Sequence, residues 1–449
     1  MKLLEFLRSG SGHAIFVRMF SSAVTNQAML SAANLLVGLV LIRATADEQY
    51  GYYVLVINSI LLLNSLQGAF LHPPLALRIA REGPAACADL VGGLFNAQTR
   101  LTVWAAIAAI VAVVAAHALG RIDLRLAALL CAALVATAAA MYREFFRTVL
   151  FVSKQPHAVL TADLLYIGGQ IGGVLLAART GLPATVALLT LAMSAVAGGW
   201  LLARALRRSG GIDRAGSTAA WREIAHMGAW SAAGSASHWT FSQGYNYVVV
   251  AVLDVSSVSA LAATRLLLMP VNLLSTGISP LLMPFAAEWL HKSGPAAMVR
   301  RIAAIGAGLS VLSAIYLVVL WLARNWIFEH LMHKHFAHAD TLLALWSLTF
   351  LVTAFRDQLR AVPATFGRFK VLFFATVATA ALALVACWFG LHAFGIAGAP
   401  LAVLCGELLS LLFIIVLSVR LAQGAHPAPE AATLTATPGP VHATEPSGT

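Results

Sequence analysis

A chain of 449 residues that is 60% hydrophobic and only 10% charged cannot clothe a soluble globule, because water-facing surfaces ordinarily need about 25% charged residues. Its composition suits the bilayer, where apolar side chains need no burial against protein. The net charge of +11 does not indicate nucleic acid, since the basic residues lie scattered between apolar runs rather than on one polar module.

In chain order, the segment Met1 to Phe20 lacks the apolar core and small-residue cleavage site of a secretory signal and reads as a short amphipathic stretch on the cytoplasmic face. About twelve apolar runs follow, bounded by charges or by Gly and Pro: 20–42, 50–76, 100–119, 124–148, 157–178, 183–206, 226–253, 257–286, 300–323, 340–363, 368–390 and 395–419. Each is long enough for a transmembrane helix of ~20 residues. From about Leu421 to Thr449 the chain is rich in Ala, Pro and Thr and is expected to be a disordered cytoplasmic tail.

The longest inside connection, 207–225, divides the chain into an N-terminal six-helix lobe (1–206) and a C-terminal six-helix lobe (226–420), with 421–449 as the tail. The halves echo each other: Gly68 precedes Pro73 and Pro74 in span two, and Gly277 precedes Pro280 and Pro284 in span eight. The expected fold is an all-α polytopic membrane protein, its two pseudo-symmetric lobes enclosing a central cavity. With the N-terminus inside, 22 Lys and Arg fall on the cytoplasmic side and 6 on the other, Arg265 alone lying within a span. Cytoplasmic loops carry the basic excess, so both termini are expected in the cytoplasm of a bacterial inner membrane.

Polar residues inside the hydrocarbon are costly and therefore informative. Gln27, Ser31 and Asn34 share one face of span one, and Asn58, Ser65 and His72 recur every seventh residue in span two. Ser231, Ser235, His238, Ser242 and Tyr245 stripe span seven; Arg265, Asn272, Thr276 and Ser279 stripe span eight. Small polar residues also pack helices together, at about 0.6 kcal/mol per interhelical hydrogen bond. The stripes, however, fall on the opening pair of helices of each half, as the walls of a shared lumen would. Arg265 is the sharpest residue, since a guanidinium cannot shed its charge and its donor fork matches phosphate or carboxylate. Snorkelling to the outer interface, or pairing with Asp254, is the other reading of the same residue.

Two carboxylates lie within spans. Glu407 in span twelve and Asp163 in span five are candidates for coupling a proton or Na⁺ to transport, or for structural pairing with an arginine. The charges at the inner ends of span four (Arg143, Glu144, Arg147) and span ten (Arg356, Asp357, Arg360) are expected to form interfacial ion pairs. The four cysteines form no CxxC pair, and the histidines between Glu329 and Asp340 match no metal-ligand spacing, so neither disulfide nor metal is expected. No nucleotide-binding loop or other cofactor motif is present in the sequence.

Two patches carry a resemblance. Asp47-Glu48-Gln49-Tyr50-Gly51-Tyr52-Tyr53, followed by Gly68, and the stretch from Val258 through Arg265 and Pro270 to Pro284 resemble the polysaccharide flippases of the multidrug/oligosaccharidyl-lipid/polysaccharide export superfamily, of the O-antigen or exopolysaccharide type. The resemblance spans residues 18 to 420 and implies a V-shaped bundle that alternates between faces. It implies that the chain, rather than acting as an enzyme, turns a polyprenyl-diphosphate-linked oligosaccharide from the cytoplasmic to the periplasmic leaflet. Arg265 would grip the diphosphate; Gln27, Asn34, Asn58, His238, Asn272 and Thr276 would line the sugar's path. Membrane lipids and the polymerase or export proteins of surface-polysaccharide synthesis are the implied partners. Moving the anion outward is favoured by ~2.3 kcal/mol per charge per 100 mV of inside-negative potential.

Two alternatives belong to other classes. A cation-coupled multidrug exporter of the same superfamily is expected to place carboxylates in the lumen, and span one has none. A membrane polysaccharide polymerase or ligase usually needs a large outside loop; the longest outside stretch here runs only from Arg324 to Ala339.

Overall fold

The computed structural model describes residues 29–82, 87–153, 155–213, 221–334, 336 and 338–424. The first set of helices comprises α1 (Met29–Ala44), α2 (Asp47–Glu82), α3 (Ala88–Ala118), α4 (Leu124–Val152), α5 (Pro156–Ala177) and α6 (Pro183–Arg208). The second comprises α7 (Trp221–Gln243), α8 (Tyr245–Val252), α9 (Val255–Leu266), α10 (Met269–Trp326), α11 (Ala339–Leu359), α12 (Ala361–Thr365), α13 (Phe369–Phe394) and α14 (Gly398–Gly424). There is no strand among the described residues. Local chemistry sets several boundaries. Asp123 and Asp254 cap α4 and α9 by accepting from the amides of Leu126 and Ser257, and Pro opens α5 and α6, where its missing N–H costs nothing.

The apolar runs read from the sequence fall on these helices, residues 20–28 of the first lying outside the described part. Three runs are broken rather than continuous. Span seven divides at Gly244 into α7 and α8, span ten divides at Arg360 into α11 and α12, and span eight bends by 56° between α9 and the start of α10. Conversely, α10 joins the inner half of span eight to span nine in 58 residues, about 87 Å if straight. A hydrocarbon core of ~30 Å cannot hold that; the helix turns at Gly294, whose φ of 78° favours a residue without a Cβ. Helix α14 continues through Leu421 to Gly424, so the expected tail begins later than the composition suggested; 425–449 and the N-terminal segment 1–28 lie outside the described residues.

Among the described residues, eight stretches are long and apolar enough to cross a membrane, or nine with the bent pair α9–α10. One of these, Phe369–Gln423, is 55 residues long and holds two crossings, α13 and α14, which reverse at Gly395. Helix α7 is not among them, because its serines and His238 dilute its apolar character. The chain is a multi-pass membrane protein.

Within the first set α4 packs on α2, α3 and α6, and α5 on α6; within the second, α11 packs on α10 and α14, and α13 on α7 and α14. The sets meet mainly through α2, which lies against α7 and α9. Most Lys and Arg lie at one end of the helices, here called the basic face, and few at the sparse face. At the sparse face both sets contribute to a single core, in which Leu41, Leu188, Leu261, Leu268 and Trp346 are fully buried. Toward the basic face that core divides. Phe145, Phe146, Leu150 and Leu202 centre one cluster, which belongs to the first set apart from Ile224 of α7, and Met298, Ile302 and Val362 centre another in the second. The sets therefore share their largest core at the sparse face, here called the apex, and have largely separate cores toward the basic face.

Candidate functional site

Arg265 lies in the last turn of α9, just before the bend into α10, where the helix C-terminus favours a cation. Its Nη1 donates to the Ser242 carbonyl (3.0 Å), Gln243 Oε1 (2.8 Å) and the Tyr245 hydroxyl (3.0 Å), all beside the break between α7 and α8. The rings of Tyr245, Trp346 and Phe350 stand 5.6, 5.3 and 5.8 Å from the guanidinium carbon, within cation–π range. Asp254 caps its own helix, and no carboxylate reaches Arg265 among the described residues. The result is a half-buried cation, oriented by neutral acceptors and aromatic faces, with no carboxylate against it among the described residues.

The two intramembrane carboxylates have the opposite fate. Asp163, fully buried on α5, accepts from Arg143 and from Arg147 Nε (3.2 Å), while Arg147 also pairs with Glu144 at 3.2 Å. Arg143 stacks on Tyr166 at 3.7 Å. Glu407 on α14 pairs with Arg356 of α11 at 2.8 Å, and Arg356 pairs with Asp357 at 2.7 Å. Both carboxylates are thus bound to arginines, the structural alternative that the sequence left open beside ion coupling. The expected charge clusters at the ends of α4 and α11 do form ion pairs, but they reach sideways into α5 and α14 rather than standing alone at an interface.

These two clusters share a signal that the sequence reading passed over. Arg143-Glu144-Phe145-Phe146-Arg147 and Arg356-Asp357-Gln358-Leu359-Arg360 have the same pattern, Arg-acid-x-x-Arg, 213 residues apart. Gln243, Trp346 and Phe350, which surround Arg265, were also not singled out. An apolar span gives no sign that one of its aromatic rings faces a cation two helices away.

The remaining predicted residues are distributed unevenly. Asn34, Asn272 and His238 are exposed and Asn58 is buried. Gln27 lies outside the described residues, as does the side chain of Thr276. The stripes on spans two and seven do meet: the Ser65 and Ser235 hydroxyls are 2.5 Å apart, and Ser59 bonds Tyr247 at 2.7 Å. Gly228 allows α7 to approach the Phe70 carbonyl of α2, since a methyl group there would sit 2.6 Å from that oxygen. At the apex, Lys334 pairs with Asp47 at 2.6 Å, and Gly51 lies so close to the Val255 carbonyl that any Cβ would collide with it. Nearer the basic face, α2, α4 and α7 line an open cavity of about 600 Å³.

No protein-family model matches the chain, and no curated protein does. Its fold is nevertheless that of solved transporters. An inward-facing multidrug resistance MATE family transporter of the MOP superfamily superposes with a TM-score of 0.69 at 12% identity, over 87% of this chain and 94% of that one. An outward-facing transporter of the same description gives 0.64 at 13% identity, over 94% and 98%. A MOP superfamily transporter from Pyrococcus furiosus, described by the reverse polarity of its binding pocket, gives 0.65 at 15% identity, over 94% and 98%. The chain has the twelve-span fold of these proteins.

Proposed function

We propose that this protein is a flippase for polyprenyl-diphosphate-linked oligosaccharides, moving them by alternating access from the basic face, which is cytoplasmic, to the sparse face, for surface-polysaccharide synthesis. The observation that carries this reading is the distribution of charge. Among the described residues Arg265 is a cation without a carboxylate beside it, while Asp163 and Glu407, 0% and 4% exposed, are closed into arginine pairs. A pocket of that polarity favours a diphosphate over a cationic drug. A sugar headgroup needs such a path, because each polar group taken bare into hydrocarbon costs several kcal/mol.

Alternating access is supported by the division of the core: the sets share one core at the apex, while toward the basic face they have separate cores bridged by α7, an arrangement in which they could rock about the apex. The fold is shared by transporters described as inward-facing and as outward-facing. Multidrug export is the second reading, favoured by the descriptions of those neighbours.

The test is mass spectrometry of lipid extracts from cells depleted of the protein. Accumulation of one complete lipid-linked repeat unit, with loss of the surface polymer, is expected. An unchanged lipid-sugar pool together with sensitivity to toxic cations would replace this reading with drug export. Arg265→Ala is expected to reproduce the depletion phenotype at normal protein level, and Arg265→Lys to restore part of the polymer, since it keeps the charge and loses the fork. Full polymer in the alanine strain would remove Arg265 from the site.

A further inference from the structure

The cavity between α2, α4 and α7 lies apart from Arg265, toward the basic face, and its chemistry differs. Its volume of about 600 Å³ falls within the ~300–1,000 Å³ usual for ligand sites. Arg147 is the cation in its wall, but that guanidinium already faces Glu144 and Asp163. The cluster formed with Arg143 contains two cations and two anions, so it holds no surplus charge for a diphosphate. What the wall offers instead is a mixture of donors and acceptors: the hydroxyls of Thr148 and Ser231, the His72 ring and the Glu144 carboxylate. Pro73 adds to it by removing the N–H that would pair with the carbonyl of Ala69, another wall residue. Phe151 supplies an apolar ring face. Hydroxyl donors and acceptors alternating with C–H surfaces are the complement of a neutral sugar.

Resting on the reading given above, we propose that this cavity binds the sugar of the cargo and that the diphosphate is held separately, at Arg265. The two sites divide recognition: Arg265 takes what every polyprenyl diphosphate shares, and the cavity takes what distinguishes one repeat unit from another. Gly68 is the position from which to test this, because a Cβ there meets only the Thr148 hydroxyl, at 4.0 Å. Alanine fits, and leucine extends into the cavity that Gly68 lines.

Purified protein in nanodiscs is titrated by native mass spectrometry with two probes. One is undecaprenyl diphosphate; the other is the lipid-linked oligosaccharide extracted from depleted cells. Wild type and Gly68→Ala are expected to prefer the glycolipid by about tenfold or more, the loss expected when a sugar's hydrogen bonds go unmade. Gly68→Leu is expected to bring the two probes within about twofold, with unchanged affinity for undecaprenyl diphosphate, which also reports that the protein is folded. The double variant Thr148→Val, Ser231→Ala, which removes hydroxyls and adds no bulk, is expected to lose preference in the same direction. Retained preference in both variants overturns the proposal. So does equal weakening of both probes in the double variant at unchanged melting temperature, which would assign the diphosphate to this cavity. A wild type that binds both probes equally overturns the sugar site alone; one that binds neither overturns the flippase reading.

Discussion

At the scale of single residues, Asp163 has the largest structural burden. It neutralises two guanidinium groups on α4, so Asp163→Asn leaves Arg143 without its carboxylate and Arg147 with Glu144 alone. Breaking a buried pair by removing one partner costs about 3–5 kcal/mol. Glu407→Gln is the milder change, because Arg356 keeps Asp357 at 2.7 Å. Thermal unfolding in detergent is expected to show a clear drop for Asp163→Asn and a smaller one for Glu407→Gln; the reverse order would contradict this account of the clusters. Cys87 gives a pH-dependent readout outside the spans. Burial pushes its thiol up, and the neighbouring Glu82 adds to the rise. Only the thiolate reacts with maleimide, so labelling of Cys87 is expected to be slow at neutral pH and to accelerate as the pH is raised. In unfolded protein that lag should vanish, and fast labelling of folded protein at pH 7 would count against it.

At the scale of elements, the seam of α2 against α9 decides which face is shut. Gly51 and Asp47 belong to the patch that carried the sequence resemblance, and the structure gives both a physical task. Gly51 admits the Val255 carbonyl, and Asp47 meets Lys334 from the other set. An ion pair that is partly exposed contributes only about 0–1 kcal/mol, enough to shift a population several-fold without unfolding anything. Asp47→Lys is expected to lengthen the distance between spin labels at Glu48 and His330, and Asp47→Lys with Lys334→Asp to restore it. An unchanged distribution in the single variant would mean that the apex holds by apolar packing alone. The elements themselves were legible as apolar runs, because ~20 residues without charge permit little else. The breaks at Gly244, Leu267 and Arg360 were not. Glycine is common in membrane helices, so Gly244 gives no warning; the other two breaks each precede a proline, Pro270 and Pro363, whose missing N–H frees the carbonyls of Leu266 and Leu359, a sign not used in reading the spans.

At the scale of the molecule, the all-helical fold and the number of crossings could be read from hydropathy and basic-residue counts. Arg265 was legible as an intramembrane charge, while its aromatic cage was not, since ring orientation is a property of packing between helices distant in sequence. The same holds for the closure of Asp163 and Glu407, whose arginines lie 16 to 51 residues away. Charge placement also sets how the whole transporter should respond to a field. With inside-negative potential, flipping of the diphosphate outward in proteoliposomes is expected to accelerate, driven by ~2.3 kcal/mol per charge per 100 mV. Rates indifferent to the imposed potential would show that the cargo crosses with its charge compensated.

The repeated Arg-acid-x-x-Arg pattern has a consequence for descent. A shift of 213 residues carries Arg143, Glu144 and Arg147 onto Arg356, Asp357 and Arg360, yet it carries Asp163 onto Thr376 and Glu407 back onto Ser194. The arginines and their local acid are common to both halves, whereas the carboxylate that completes each cluster is private to one, on the fifth helix of the first set and the last helix of the second. If the halves arose by duplication of a six-span ancestor, the arginines are the inheritance and the second carboxylates are later acquisitions. Each half then balanced the same ancestral surplus of positive charge by a different route, whereas Arg265 has no charged counterpart in the first half.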